Sequence, residues 1–107
     1  MQSLSVEEFA AWLADPARVA PMLLDVREPW EFELVSMPDA VPMPMGTVPT
    51  RFQELAPERE IVCVCHHGMR SAQVAEFLAR QGCEKVYNLA GGIDAWARQI
   101  DPAMPVY

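Results

Sequence analysis

The feature that most restricts the fold of this chain is the run Ile61-Val62-Cys63-Val64-Cys65, continuously apolar and rich in β-branched residues. A strand with no polar position has no face for water, so it belongs inside a sheet that is covered on both sides. His66-His67-Gly68-Met69-Arg70 follow it. From Ser71 onward, Val74, Phe77, Leu78 and Gln81 recur at helical spacing before a stop at Gly82, which predicts a helix over 71–81. Met22-Leu23-Leu24-Asp25-Val26 and Val86-Tyr87-Asn88-Leu89 read as further short strands. Ser5 to Glu8 has the spacing of a capping box and opens a stripe of Val6, Phe9, Ala10 and Leu13 that Asp15-Pro16 stops. Pro29 suits the first turn of a helix over 29–34, residues 48–55 predict a short helix, and 93–100 is helical in pattern up to Asp101-Pro102. Pro38, Pro42, Pro44, Pro49 and Pro57 punctuate an irregular connection. Strands alternating with helices predict an α/β fold built on a parallel sheet.

At 107 residues the chain has the size of one domain, since two halves would each be too small to bury a core unaided. A single domain over 1–107 is therefore expected. Hydrophobic residues at 51% and charged residues at 21% exclude disorder. Eight Lys and Arg against fifteen Asp and Glu give a formal charge of −7, which argues against nucleic acid and against anionic membrane surfaces as partners. Nothing approaches the roughly 20 apolar residues of a membrane span, and no basic or apolar leader follows Met1. The expected compartment is the cytoplasm. There an odd set of three cysteines, Cys63, Cys65 and Cys83, favours a reactive thiol over a disulfide framework. Any anion handled by so acidic a chain needs a locally generated positive potential.

Such a potential is available where the strongest strand meets its helix, at the carboxyl end of a parallel sheet where ligands bind in folds of this kind. A short loop from Cys65 to Ser71 can form a cradle whose backbone N–H groups converge on the cysteine side chain, with Gly68 relieving the tightest bend. The unpaired N–H groups of the following helical turn add to the same positive pole. A thiol in that position is expected as the thiolate.

The segment Leu24-Asp25-Val26-Arg27-Glu28-Pro29, the loop Cys65-His66-His67-Gly68-Met69-Arg70-Ser71 and the stretch Asn88-Leu89-Ala90-Gly91-Gly92-Ile93-Asp94-Ala95-Trp96 together resemble single-domain rhodaneses, the thiosulfate sulfurtransferases. The resemblance runs from about residue 3 to the end of the sequence. It implies a three-layer α/β fold, with a five-stranded parallel sheet between helices, and Cys65 as the sulfur-carrying nucleophile. It implies that Cys65 takes sulfane sulfur from thiosulfate, or from a persulfide donor, as a persulfide. Cyanide, a thiol or a protein sulfur acceptor then removes it. The backbone of His66, His67, Gly68, Met69, Arg70 and Ser71 would bind the anionic donor, and Arg70 would add a charge for a sulfonate-like group. No cofactor and no metal are expected. Where the family shows Gly-His-Ile-Pro-Gly-Ala, this chain has Val35-Ser36-Met37-Pro38-Asp39-Ala40, so the resemblance does not fix the shape of that turn.

The remaining motifs have structural explanations. Cys63, two residues back on the strand, is expected to be buried, and Cys83 to be incidental. Cys63, Cys65, His66 and His67 are too closely spaced to converge on a tetrahedral ion. The two imidazoles are expected at the rim, where a partly protonated ring would favour the thiolate. Asp25 and Arg27 read as structural ion pairs, Gly91-Gly92 as a turn, and Trp30 and Trp96 as core or rim packing. Two other functions compete with sulfur transfer: a non-catalytic binding or sensing module, and a phosphatase or arsenate reductase. Related phosphatases use Cys-x5-Arg to fit a tetrahedral oxyanion, and the shorter Cys-x4-Arg from Cys65 to Arg70 disfavours that chemistry.

Overall fold

A computed structural model describes all of residues 1–107. Its strands are β1 (Gln2–Leu4), β2 (Met22–Asp25), β3 (Val41–Pro42), β4 (Ile61–Val64) and β5 (Val86–Leu89). Its helices are α1 (Val6–Ala14), α2 (Pro29–Leu34), α3 (Val48–Arg51), α4 (Met69–Arg80) and α5 (Gly92–Gln99). All strand pairs are parallel and the order is β1-β5-β4-β2-β3, so the strand leading to Cys65 lies in the middle. Strand alternation divides the core in two. Ile61, Cys63 and Cys65 join Leu24, Val26, Val74, Ala75 and Leu78 on one face, beneath α3 and α4. Val62 and Val64 join Val6, Phe9, Trp12, Ile93 and Trp96 on the other, beneath α1 and α5. Every residue of β4 is buried, the burial that an uninterrupted apolar strand requires. The expected α/β fold, a five-stranded parallel sheet between helical layers, is the observed one.

The structure departs from the sequence reading at the edges. β1 and β3 carry no apolar run of their own. They are edge strands, and Pro42, which lacks an N–H, is tolerated in β3 because that strand has a neighbour on one side only. On α1 the third buried position is Trp12, while Leu13 is 47% exposed. Trp12 wins that place because its ring packs edge-on against Phe9 and Tyr87, its Nε1 donates to the Val19 carbonyl at 3.0 Å, and the Arg18 guanidinium lies over it. The helix expected over 48–55 is α3 followed by a 3-10 turn at Phe52–Glu54, with another at Met45–Thr47 before it.

The turn that departs from the family pattern closes with the Ala40 N–H donating to the Met37 carbonyl. Asp39 there takes φ of 64°, the left-handed region that favours glycine and admits Asp at modest cost. Replacing Asp39 with Gly is expected to raise unfolding stability by about 0.5–1 kcal/mol, and Asp39→Val to lower it by about 1–2 kcal/mol. Urea unfolding checks that order.

Candidate active site

Cys65 follows the last residue of β4, and α4 begins at Met69, two residues earlier than the apolar periodicity indicates. Met69, Arg70 and Ser71 are therefore the first helical turn, and the loop proper is short. Gly68 makes this possible by taking φ of 105° at the N-cap, where a Cβ would stand 3.1 Å from the Gly91 nitrogen. Gly68 offers no capping side chain, and the Cys65 sulfur stands in its place. Sγ accepts hydrogen bonds from the N–H of Gly68 at 3.1 Å and of Ser71 at 3.3 Å; the Ser71 hydroxyl oxygen lies 3.3 Å away, its proton given to Asn88. The N–H groups of His66, His67, Met69 and Arg70 have no acceptor within the protein. Cys65 itself is 1% exposed.

The polarity of this loop is set from behind. The first-turn N–H groups of Ile93 and Asp94 on α5 donate to the carbonyls of Cys65 (2.9 Å) and His66 (3.0 Å). Because carbonyl and N–H point oppositely across a trans peptide plane, this fixes the His66 and His67 N–H groups away from α5. Asn88 on β5 does the same two peptides further on, for the N–H of Met69. Its Nδ2 donates to the Gly68 carbonyl at 3.1 Å, while its Oδ1 accepts the Ser71 hydroxyl at 2.6 Å. Gly92 admits the close approach, since a Cβ there would overlap the carbonyls of Cys65 and His66.

A charged network surrounds the loop. Arg27 and Asp25 are both buried and joined by three guanidinium contacts, and Arg27 also donates to the Val35 carbonyl and the Tyr107 hydroxyl. Glu31 on α2 takes Arg70 bidentately, at 2.7 and 3.0 Å. Tyr107 also donates to Glu31, at 2.7 Å. The Arg70 pair, then the Tyr107 and Glu28 hydrogen bonds, outweigh burial and lower the Glu31 carboxyl from 4.5 to about 2. The Tyr107 ring stacks on His66, which in turn lies 3.9 Å from the His67 ring. Burial, and secondarily the neighbouring His67, push the His66 imidazole below its usual range. Burial thus works against the partly protonated ring expected at the rim for His66. Cys63 is buried, and desolvation raises its thiol to about 12, so it remains a thiol. Cys83 is also buried and likewise raised.

His66, His67 and Asp94 bring metal-ligand atoms within 4.8 Å of one another. The two rings face each other at 3.9 Å with a tilt of 31°, His66 is also stacked on Tyr107, and the Asp94 carboxylate is held by Arg98. This is not a convergent donor set. Trp30 lies at the rim, edge-on to Tyr107. Glu31, Asn88 and Tyr107 were not identified as site residues from the sequence. The available signals were a polar residue in the otherwise apolar β5 and a second acid three positions after Glu28.

Comparison with known proteins gives consistent relationships. The profile of the family described as "Rhodanese-like domain" matches residues 5–99. A chloroplastic Rhodanese-like/PpiC domain-containing protein of Arabidopsis thaliana is 38% identical over 112 residues, covering 100% of this chain and 38% of that longer protein. A protein of Allochromatium vinosum named sulfurtransferase is 39% identical, covering 92% of this chain and 90% of its own length. The crystal structure of a rhodanese-related protein from Thermoplasma volcanium superimposes with a TM-score of 0.85 at 25% identity, over 100% of both chains. No helix is long and apolar enough to cross a membrane.

Two outcomes check this geometry. Gly92→Ala is expected to cost about 1–3 kcal/mol in urea unfolding, because it combines a positive φ with a steric clash. Gly46→Ala, where a Cβ meets nothing within 4 Å, serves as the near-neutral control. For Glu31, a folded-state value below the unfolded one means that its ionised form stabilises the fold above pH 4.5, and that this is lost as the pH falls toward about 2. The stability difference between the native chain and Glu31→Gln should therefore be constant above that window and shrink within it.

Proposed function

Because this chain belongs to the rhodanese-like domain family, we propose that it is a sulfurtransferase. Cys65 takes sulfane sulfur from thiosulfate or a persulfide donor and passes it to a thiophilic acceptor. The observation that carries this reading is the sulfur of Cys65 held by the Gly68 and Ser71 N–H groups, with four further unpaired N–H groups in the same short loop. Such fixed dipoles favour an anionic donor or a persulfide bound above the sulfur.

In the first step the Cys65 thiolate attacks the outer sulfur of the donor. A sulfur–sulfur bond forms at Cys65, the donor's own sulfur–sulfur bond breaks, and its electron pair leaves with sulfite or with a thiolate. In the second step the lone pair of cyanide or a thiol attacks the outer sulfur, and the bonding pair returns to Cys65. The enzyme is neither oxidised nor reduced over the cycle, and no cofactor or metal takes part. The backbone N–H groups of His66, His67, Gly68, Met69, Arg70 and Ser71 bind the donor and the carried sulfur. Arg70 contributes a guanidinium whose charge Glu31 already balances. Three free, buried cysteines are consistent with work in a reducing cytoplasm, where thiol acceptors, including a protein partner, are at hand. The single domain spans residues 1–107.

Incubation with thiosulfate and cyanide is expected to yield thiocyanate, and Cys65→Ser to lower that rate by more than about a thousandfold, as removal of a nucleophile does. Mass spectrometry of donor-treated protein should find one added sulfur on the peptide holding Cys65. An unmodified peptide after treatment with either donor class would favour the binding-module reading, and turnover of an aryl phosphate in its place would favour the phosphatase.

A further inference from the structure

The only arginine of the cysteine loop is paired bidentately with Glu31, and its side chain is 35% exposed. Both Glu31 oxygens are saturated: Oε1 accepts from Arg70 (2.7 Å) and the Glu28 N–H (3.1 Å), and Oε2 from Arg70 (3.0 Å) and the Tyr107 hydroxyl (2.7 Å). The Glu31 side chain is 5% exposed, so water does little to screen the charge it places beside the loop. The neighbouring guanidinium groups are paired as well. Arg27 is held by Asp25 and Arg98 by Asp94, and burial works against a charge on His66. Arg59 and Lys85 precede β4 and β5, at the end of the sheet opposite Cys65. A donor therefore meets mainly the partial charges of N–H groups, beside an arginine whose charge is balanced, in a chain of formal charge −7. Thiosulfate brings two negative charges to that site. An alkyl persulfide brings one or none.

Resting on the sulfur-transfer reading above, we propose that Glu31 is a positioning residue that sets donor specificity: by neutralising Arg70 it disfavours dianionic donors and makes alkyl persulfides, which carry at most one negative charge, the preferred source of sulfur. The step balances with such a donor. The Cys65 thiolate bonds to the outer sulfur of RSSH, that sulfur keeps its proton, and the electron pair of the broken bond leaves as RS⁻. Selectivity here comes from what the site repels as much as from what it attracts.

The test compares thiosulfate with the persulfide of 2-mercaptoethanol, which carries at most one negative charge, in the native protein and in Glu31→Gln, whose amide fills the same space without the charge. The ratio of kcat/KM for thiosulfate to that for the persulfide is expected to rise about tenfold or more in the variant, through a lower KM for thiosulfate. A residue that merely supports the fold would lower kcat for both donors together. In the native protein, added salt is expected to raise kcat/KM for thiosulfate relative to the persulfide, as repulsion is screened. An unchanged or lower ratio in folded Glu31→Gln overturns the proposal. So does a fall in the native ratio with salt, which decides the matter even if the variant does not fold. Failure of sulfur transfer itself registers separately, as absence of added sulfur on Cys65 with both donors.

Discussion

Everything at this site depends on which way a few peptide groups point. The amino end of α5 takes the carbonyls of Cys65 and His66, and Asn88 takes that of Gly68, so the carbonyls of the loop are drawn to one side. What remains on the other side is a set of N–H donors and the sulfur they surround. The amino end of α5 and a β5 side chain thus give a strongly acidic chain a small positive pocket without using a free cation. The cost is steric, and the backbone bears it: Gly68, at φ of 105°, and Gly92, at φ of 62°, stand where a side chain would push the two segments apart.

The charges around that pocket are arranged in compensated pairs. Asp25 with Arg27 and Glu31 with Arg70 form two buried or half-buried pairs bridged by the Tyr107 hydroxyl. Buried pairs of this kind return little net stability once desolvation is counted, but removing one partner leaves an uncompensated charge. Their effect here is to hold α2 against the mouth of the loop and to leave peptide dipoles as the main source of positive potential at Cys65.

The architecture and the cysteine loop were legible because both are written locally. An unbroken apolar strand, a glycine-bearing loop and an amphipathic helix are adjacent in sequence, and Gly91-Gly92 marked the turn that meets them. The contacts that tune the site were not legible in the same way. Glu31 lies 39 residues from Arg70 and 76 from Tyr107, and Asn88 lies 20 from Gly68, so no local pattern joins them. The edge strands escaped notice for a related reason: β3 is two residues long and contains Pro42, and only pairing with β2 makes it a strand. Trp12 displaced Leu13 from the core through contacts with β5 and with Arg18, which helical spacing does not encode.

A crystal structure of the sulfur-loaded protein tests the central claim most directly. The account places the outer sulfur on the N–H side of the loop, accepting from backbone donors among His66 to Ser71, while the Cys65 and His66 carbonyls stay bonded to α5. An outer sulfur turned away from those donors, or a loop whose peptides have flipped to present a carbonyl to it, would contradict the account.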